Sequence, residues 1–272
     1  MLLLVLLFLT CSIVFLNADL TDNDILRLGK MLAVIHQDIA DIHQDIADLR
    51  KDMMEGVRKM HDFANDRAEA LGTISWPTDL CGTKMTAHSV FWEGIVGGIT
   101  AAHYECSDGK IPPKNLVFCD NVRYVDVVIY TGCPPKDITE ALNIAHSAQL
   151  RPGDSSVAHG FAAILGKPIP RYWQGQLLGA VGEEKMGQCG AGTTNVTVRE
   201  DEYLISGDQF AGMSGGAVLN GYGYLGTVHA ITGIGLAAVI PSSYIKACMT
   251  AHRSRFSSAE DCNLTVMLPP KM

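Results

Sequence analysis

Three short motifs carry the residue types that acyl transfer by a serine hydroxyl requires. Gly212-Met213-Ser214-Gly215-Gly216 sets a serine in a glycine turn, Thr100-Ala101-Ala102-His103 ends an apolar run on a histidine, and Asp126-Val127-Val128-Ile129 heads an apolar run with an aspartate. An attacking hydroxyl must lose its proton, so a neutral imidazole has to sit beside it. That imidazole needs a carboxylate behind it, to fix its tautomer and stabilise the imidazolium. The developing oxyanion needs two backbone donors, and the flanking glycines let the amides of Gly212 and Ser214 point at one oxygen. An aspartate heading a buried strand costs free energy unless paired, so Asp126 implies a partner such as an imidazole nitrogen. His88, in Thr86-Ala87-His88, is the rival base, and Asp137, after Pro134-Pro135, is the rival acid.

Taken in the order His, Asp, Ser, these motifs resemble the chymotrypsin (trypsin-like) serine peptidase family over about residues 80–250. The resemblance implies two packed antiparallel β-barrels with the triad between them, and a polypeptide substrate. It implies His103 as general base and then acid, Asp126 as its orienting acid and Ser214 as nucleophile, with no metal or organic cofactor. Two features depart from the digestive members. The gap between His103 and Asp126 is short, and Ile95-Val96-Gly97-Gly98 follows Glu93-Gly94 and so reads as a barrel strand, not a new N-terminus. The layout of hydrophobic N-terminus, helical segment and small peptidase is similar to the proteinase region of sobemovirus-like polyproteins. Two residues bear on the primary pocket. Asp208, shortly before Ser214, resembles the pocket acid of trypsin, which favours Arg or Lys. His229, in Gly226-Thr227-Val228-His229, resembles the pocket histidine of peptidases that cut after Glu or Gln. The two could instead pair with each other.

The elements that must position these residues follow from composition and periodicity. The 272-residue chain is 47% hydrophobic, contains 27 glycines and carries a net charge of −8 with no basic block, which argues against nucleic-acid binding. Residues 1–18 read as a signal peptide or an N-terminal membrane anchor, since Met1 to Leu16 contains no charge. The protein is therefore expected to be secreted or membrane-anchored. Residues 19–70 read as a helical coiled coil. Ile25, Leu28, Leu32, Ile35, Ile39, Ile42, Ile46, Leu49 and Met53 step by three and four, and the heptad Ile-His-Gln-Asp-Ile-Ala-Asp occurs twice in succession. Isoleucine at both core positions favours a trimer. Thr21 with Asp24 forms a capping box at the start.

Trp76-Pro77 breaks the helix, and residues 71–256 read as the peptidase domain. Strands are expected at 94–100, 116–119, 124–130, 156–165, 217–219, 224–229 and 235–240, with a closing helix over 244–252 and a tail at 257–272. The expected fold is thus all-β, two antiparallel barrels preceded by a coiled coil. Eight cysteines and the sequons at Asn195 and Asn263 suit an oxidising, glycosylating compartment. By resemblance Cys81 pairs with Cys106. Cys119 with Cys133 and Cys248 with Cys262 would close short loops and leave Cys189 over, although sequence cannot fix connectivity. A different class of function also fits: a catalytically inactive trypsin-like binding or adaptor protein clustered by its coil.

Overall fold

The computed structural model of the chain describes residues 21–80, 82–102, 114–119, 126–145, 151–180, 185–189, 194–198, 203–206, 212–232 and 236–268. The hydrophobic segment 1–18 therefore lies outside the described residues. The chain divides into two compact units, Met1–Met60 and His61–Met272.

Helix α1 (Asp22–Ile74) begins where the capping box is expected. The Asp24 amide donates to Thr21 Oγ1, and the Thr21 amide donates to Asp24 Oδ2 at 3.2 Å, which satisfies two end donors reciprocally. The duplicated heptad repeats its local bonds as well: Gln37 donates to Asp41 at 2.8 Å and Gln44 to Asp48 at 3.2 Å, each one turn ahead. The apolar stripe of the first unit is exposed, with Ile42 at 56% and Leu49 at 68%. In the second unit α1 runs past the expected end because its last turns remain apolar on one face. Ala68, Leu71 and Ile74 are buried in the same cluster as Leu142 and Met249. The helix stops when Ser75 Oγ donates back to the Leu71 carbonyl at 2.6 Å, just ahead of Pro77.

The first sheet contains β1 (Ser75–Leu80), β2 (Thr83–Trp92), β3 (Ile95–Ala101), β4 (Leu116–Phe118), β5 (Val127–Tyr130) and β6 (Glu140–Asn143). Two C-terminal strands, β15 (Ser257–Ser258) and β16 (Thr265–Met267), complete it. Its order is β16-β6-β2-β3-β5-β4, with β1 on β2 and β15 on β3. Both β6 contacts, to β2 and to β16, are parallel. The second sheet holds β7 (Ser155–Ile164), β8 (Lys167–Ala180), β9 (Lys185–Cys189), β10 (Thr194–Val198), β11 (Tyr203–Ile205), β12 (Ala217–Asn220), β13 (Gly223–Thr232) and β14 (Ala237–Pro241). Here the pairing β13–β14 closes the path β13-β12-β7-β8-β11-β14 into a six-stranded antiparallel barrel, with β9 and β10 outside the ring.

The protein is thus mostly β: of the two barrels expected, the described residues close one, in the second sheet and not in the first sheet. Among the described residues that sheet is an open path with parallel pairs. Parallel neighbours need a long connection: β3 to β5 lie between β2 and β6, and the whole second sheet lies between β6 and β16. Ser257–Ser258 and Thr265–Met267, within the segment expected as a tail, pair with β3 and β6 of the first sheet.

The cysteine pairing differs from the short loops expected. Cys119 bonds Cys248, on helix α2 (Ser242–Ala251), and Cys133 bonds Cys262. Each spans 129 positions and ties the first sheet to the C-terminal segment. Cys119 and Cys248 are buried in one cluster, a proximity created by packing and invisible to local spacing. Cys81 and Cys106 lie outside the described residues.

Candidate active site

The glycine turn of residues 212–216 is described, and β2 grips it from the neighbouring sheet. The Thr86 amide donates to the Ser214 carbonyl at 2.9 Å. Thr86 Oγ1 donates to the Gly212 carbonyl at 3.0 Å while accepting the Phe161 amide of β7 at 2.7 Å. His88 Nδ1 lies 2.8 Å from the Gly215 carbonyl. Within the turn the Gly216 amide donates to the Met213 carbonyl at 2.9 Å, and the Gly215 amide donates to Val228 of β13 at 2.7 Å. Ser214 itself is partly exposed.

Two glycines here are required by space as well as by conformation. Gly212 and Gly215 have φ of +94° and +87°. A Cβ on Gly215 would lie 2.1 Å from the Thr86 carbonyl and 2.5 Å from Thr100 Oγ1. The turn is therefore packed directly against β3, three residues before His103.

Asp126 is reached from the same strand end. The register Ala101↔Val127 brings Asp126 beside Ala102. The Ala102 amide donates to both the main-chain oxygen of Asp126, at 3.2 Å, and its Oδ1, at 2.8 Å. Asp126 is 1% exposed, as its position at the head of a buried strand demands. His103, the next residue after Ala102, lies outside the described residues, and so does Asp208.

His229 sits beside the acid. Its Nε2 lies 3.5 Å from Asp126 Oδ2, and the residue is 1% exposed. It stands at a register shift between Val228 and Ala230 where β13 meets β14. Such a bulge re-aims a side chain that regular pleating would send elsewhere.

Both rival groups, His88 and Asp137, are described. His88 is fully buried with both ring nitrogens engaged, Nδ1 at the Gly215 carbonyl and Nε2 at Tyr224 Oη, each at 2.8 Å. Burial pulls its pKa down to about 4. Asp137 is exposed on a turn. Sequence reading passed over Thr86, Thr100 and Tyr224, which build the support. A signal did exist: Thr86 and His88 stand two apart in one strand, hence on one face. Thr100 Oγ1 donates to the Thr86 carbonyl at 2.6 Å and joins β3 to that face.

No protein-family model matches the chain, and no curated protein matches it. Among solved structures it is similar to the active form of the Rv3671c protease from M. tuberculosis, at 18% identity and a TM-score of 0.47, over 69% of this chain and 85% of that one. An inactive-form mutant of Rv3671c from M. tuberculosis H37Rv gives 17% identity and 0.48, over 71% and 93%. Human heparin binding protein gives 9% and 0.46, over 68% and 93%.

Proposed function

We propose that the protein is a chymotrypsin-like serine endopeptidase acting through His103, Asp126 and Ser214. The observation that carries this reading is a convergence on one strand end. Gly215 packs on Thr100, and Asp126 is bonded to Ala102, so nucleophile turn and acid both meet the segment that delivers His103. Ser214 attacks the scissile carbonyl as His103 takes its proton, and Asp126 stabilises the imidazolium. The tetrahedral oxyanion is received by the amides of Gly212 and Ser214. His103 then protonates the leaving amine, and water hydrolyses the acyl-enzyme by the same steps in reverse order.

Residues 1–18 direct the chain to a membrane or the secretory route. No described helix is long and apolar enough to cross a membrane. The exposed stripe of α1 clusters the peptidase, with a trimer favoured. Preference in the primary pocket is set by His229, towards Glu or Gln, or by Asp208, towards Arg or Lys. Nothing in the fold favours the virus-encoded subtype.

Covalent labelling of the full chain with a fluorophosphonate tests the assignment. A single adduct on Ser214, absent from Ser214→Ala, is the expected result. A folded sample that takes no adduct would reject the peptidase reading in favour of the inactive adaptor.

A further inference from the structure

We infer that His88 is a positioning residue for the nucleophile turn, locked in one tautomer by Tyr224. This rests on the peptidase reading above. Three carbonyls of the turn, those of Gly212, Ser214 and Gly215, accept bonds from β2. The two supplied by Thr86 come from a hydroxyl and a main-chain amide, neither of which has a competing tautomer. The third comes from an imidazole that has two neutral forms. A carbonyl only accepts, so His88 Nδ1 must carry the proton that Gly215 receives. Nε2 is then the acceptor, and the Tyr224 hydroxyl at 2.8 Å is its donor. With the proton on Nε2 instead, two lone pairs would face each other at the Gly215 carbonyl and the tether would be lost.

The surroundings hold this arrangement in place. His88 and Tyr224 are both fully buried, so no water competes for either nitrogen. Burial also keeps the ring neutral at ordinary pH. The relay runs Tyr224 Oη–H to Nε2, then Nδ1–H to the Gly215 carbonyl, one residue past the nucleophile. Gly215 has a left-handed backbone, with its amide bonded to the Val228 carbonyl and its own carbonyl to His88. Releasing its carbonyl lets Ser214 drift from attack geometry, where a displacement of about 1 Å costs roughly a hundredfold in rate.

The test compares fluorophosphonate labelling of Ser214 and thermal melting in the wild type, His88→Asn, His88→Leu and Tyr224→Phe. The asparagine amide nitrogen can take the place of Nδ1 and donate to Gly215. His88→Asn is therefore expected to label within about fivefold of wild type, while His88→Leu and Tyr224→Phe label roughly tenfold to a hundredfold more slowly. On a peptide substrate the loss should fall on kcat with KM unchanged. Nitrogen-15 NMR of the wild type should show His88 protonated at Nδ1 alone. Wild-type labelling by a folded His88→Leu, equal losses in the Asn and Leu variants, or a proton on Nε2 would each overturn the inference. If His88→Leu does not fold, the Asn variant, Tyr224→Phe and the spectrum still decide. A wild type that shows the Nδ1 proton but takes no label would sink the peptidase reading and leave the relay standing.

Discussion

Replacing Thr86 by valine tests how much the support beneath the turn contributes. Valine keeps the shape and deletes the hydroxyl, which is fully buried and makes two bonds, to the Gly212 carbonyl at 3.0 Å and from the Phe161 amide at 2.7 Å. The carbonyl belongs to a partly exposed residue and can recover a water. The Phe161 amide loses its acceptor on the fully buried hydroxyl, at a cost of about 1–3 kcal/mol, with about 1 kcal/mol more for the other bond. The expected destabilisation is therefore about 2–4 kcal/mol. With an m-value of about 2 kcal/mol/M in urea, the unfolding midpoint should fall by about 1–2 M. Thr86→Ser keeps both bonds and loses one methyl, at about 1 kcal/mol. Fluorophosphonate labelling of Ser214 should slow in Thr86→Val and not in Thr86→Ser. A valine variant within about 0.5 kcal/mol of wild type, or a serine variant as damaged as the valine one, would refute the role given to the hydroxyl.

Acid should destabilise the second unit, His61–Met272, through its buried histidines. Burial lowers both His88 and His159 to about 4, below the ordinary 6.5, so the unfolded chain binds protons that the folded chain refuses. Stability is full above about pH 6.5 and falls as pH drops towards 4, by roughly 3 kcal/mol for each ring, with no further loss from them below 4. Urea midpoints between pH 7 and 4 should show a shallower slope in His159→Gln, by up to about 1.4 kcal/mol per pH unit; an unchanged slope would count against it. For the coil, sedimentation equilibrium of the full chain should give three times the chain mass, and Ile35→Asp with Ile42→Asp should reduce it to one. A wild type that stays monomeric at tens of micromolar would end the proposal.

Local physics made part of this molecule legible in one dimension. The helix start follows from Thr21 and Asp24 bonding each other across a single turn, and the heptads follow from a period that needs no partner to be seen. Val127–Tyr130 and Ala217–Asn220 are short aliphatic runs bounded by breakers, so they announce themselves as buried strands. The glycine turn was visible because only glycine adopts the backbone that Gly212 and Gly215 require.

Other features depend on residues far apart in the chain. β2 mixes Thr86 and His88 with apolar neighbours, and those two polar side chains make sense only once the turn of residues 212–216, more than a hundred positions away, packs against them. His229 reads as a pocket residue on a regular strand, but a bulge against β14 turns it to Asp126. The cysteines illustrate the same limit, since spacing favoured short loops while burial of Cys119 with Cys248 brought together partners 129 positions apart. Periodicity and backbone sterics act within a few residues and are written in the sequence. Register, barrel closure and the pairing of buried polar groups are set by which distant surfaces exclude water together, and only the tertiary structure decides that.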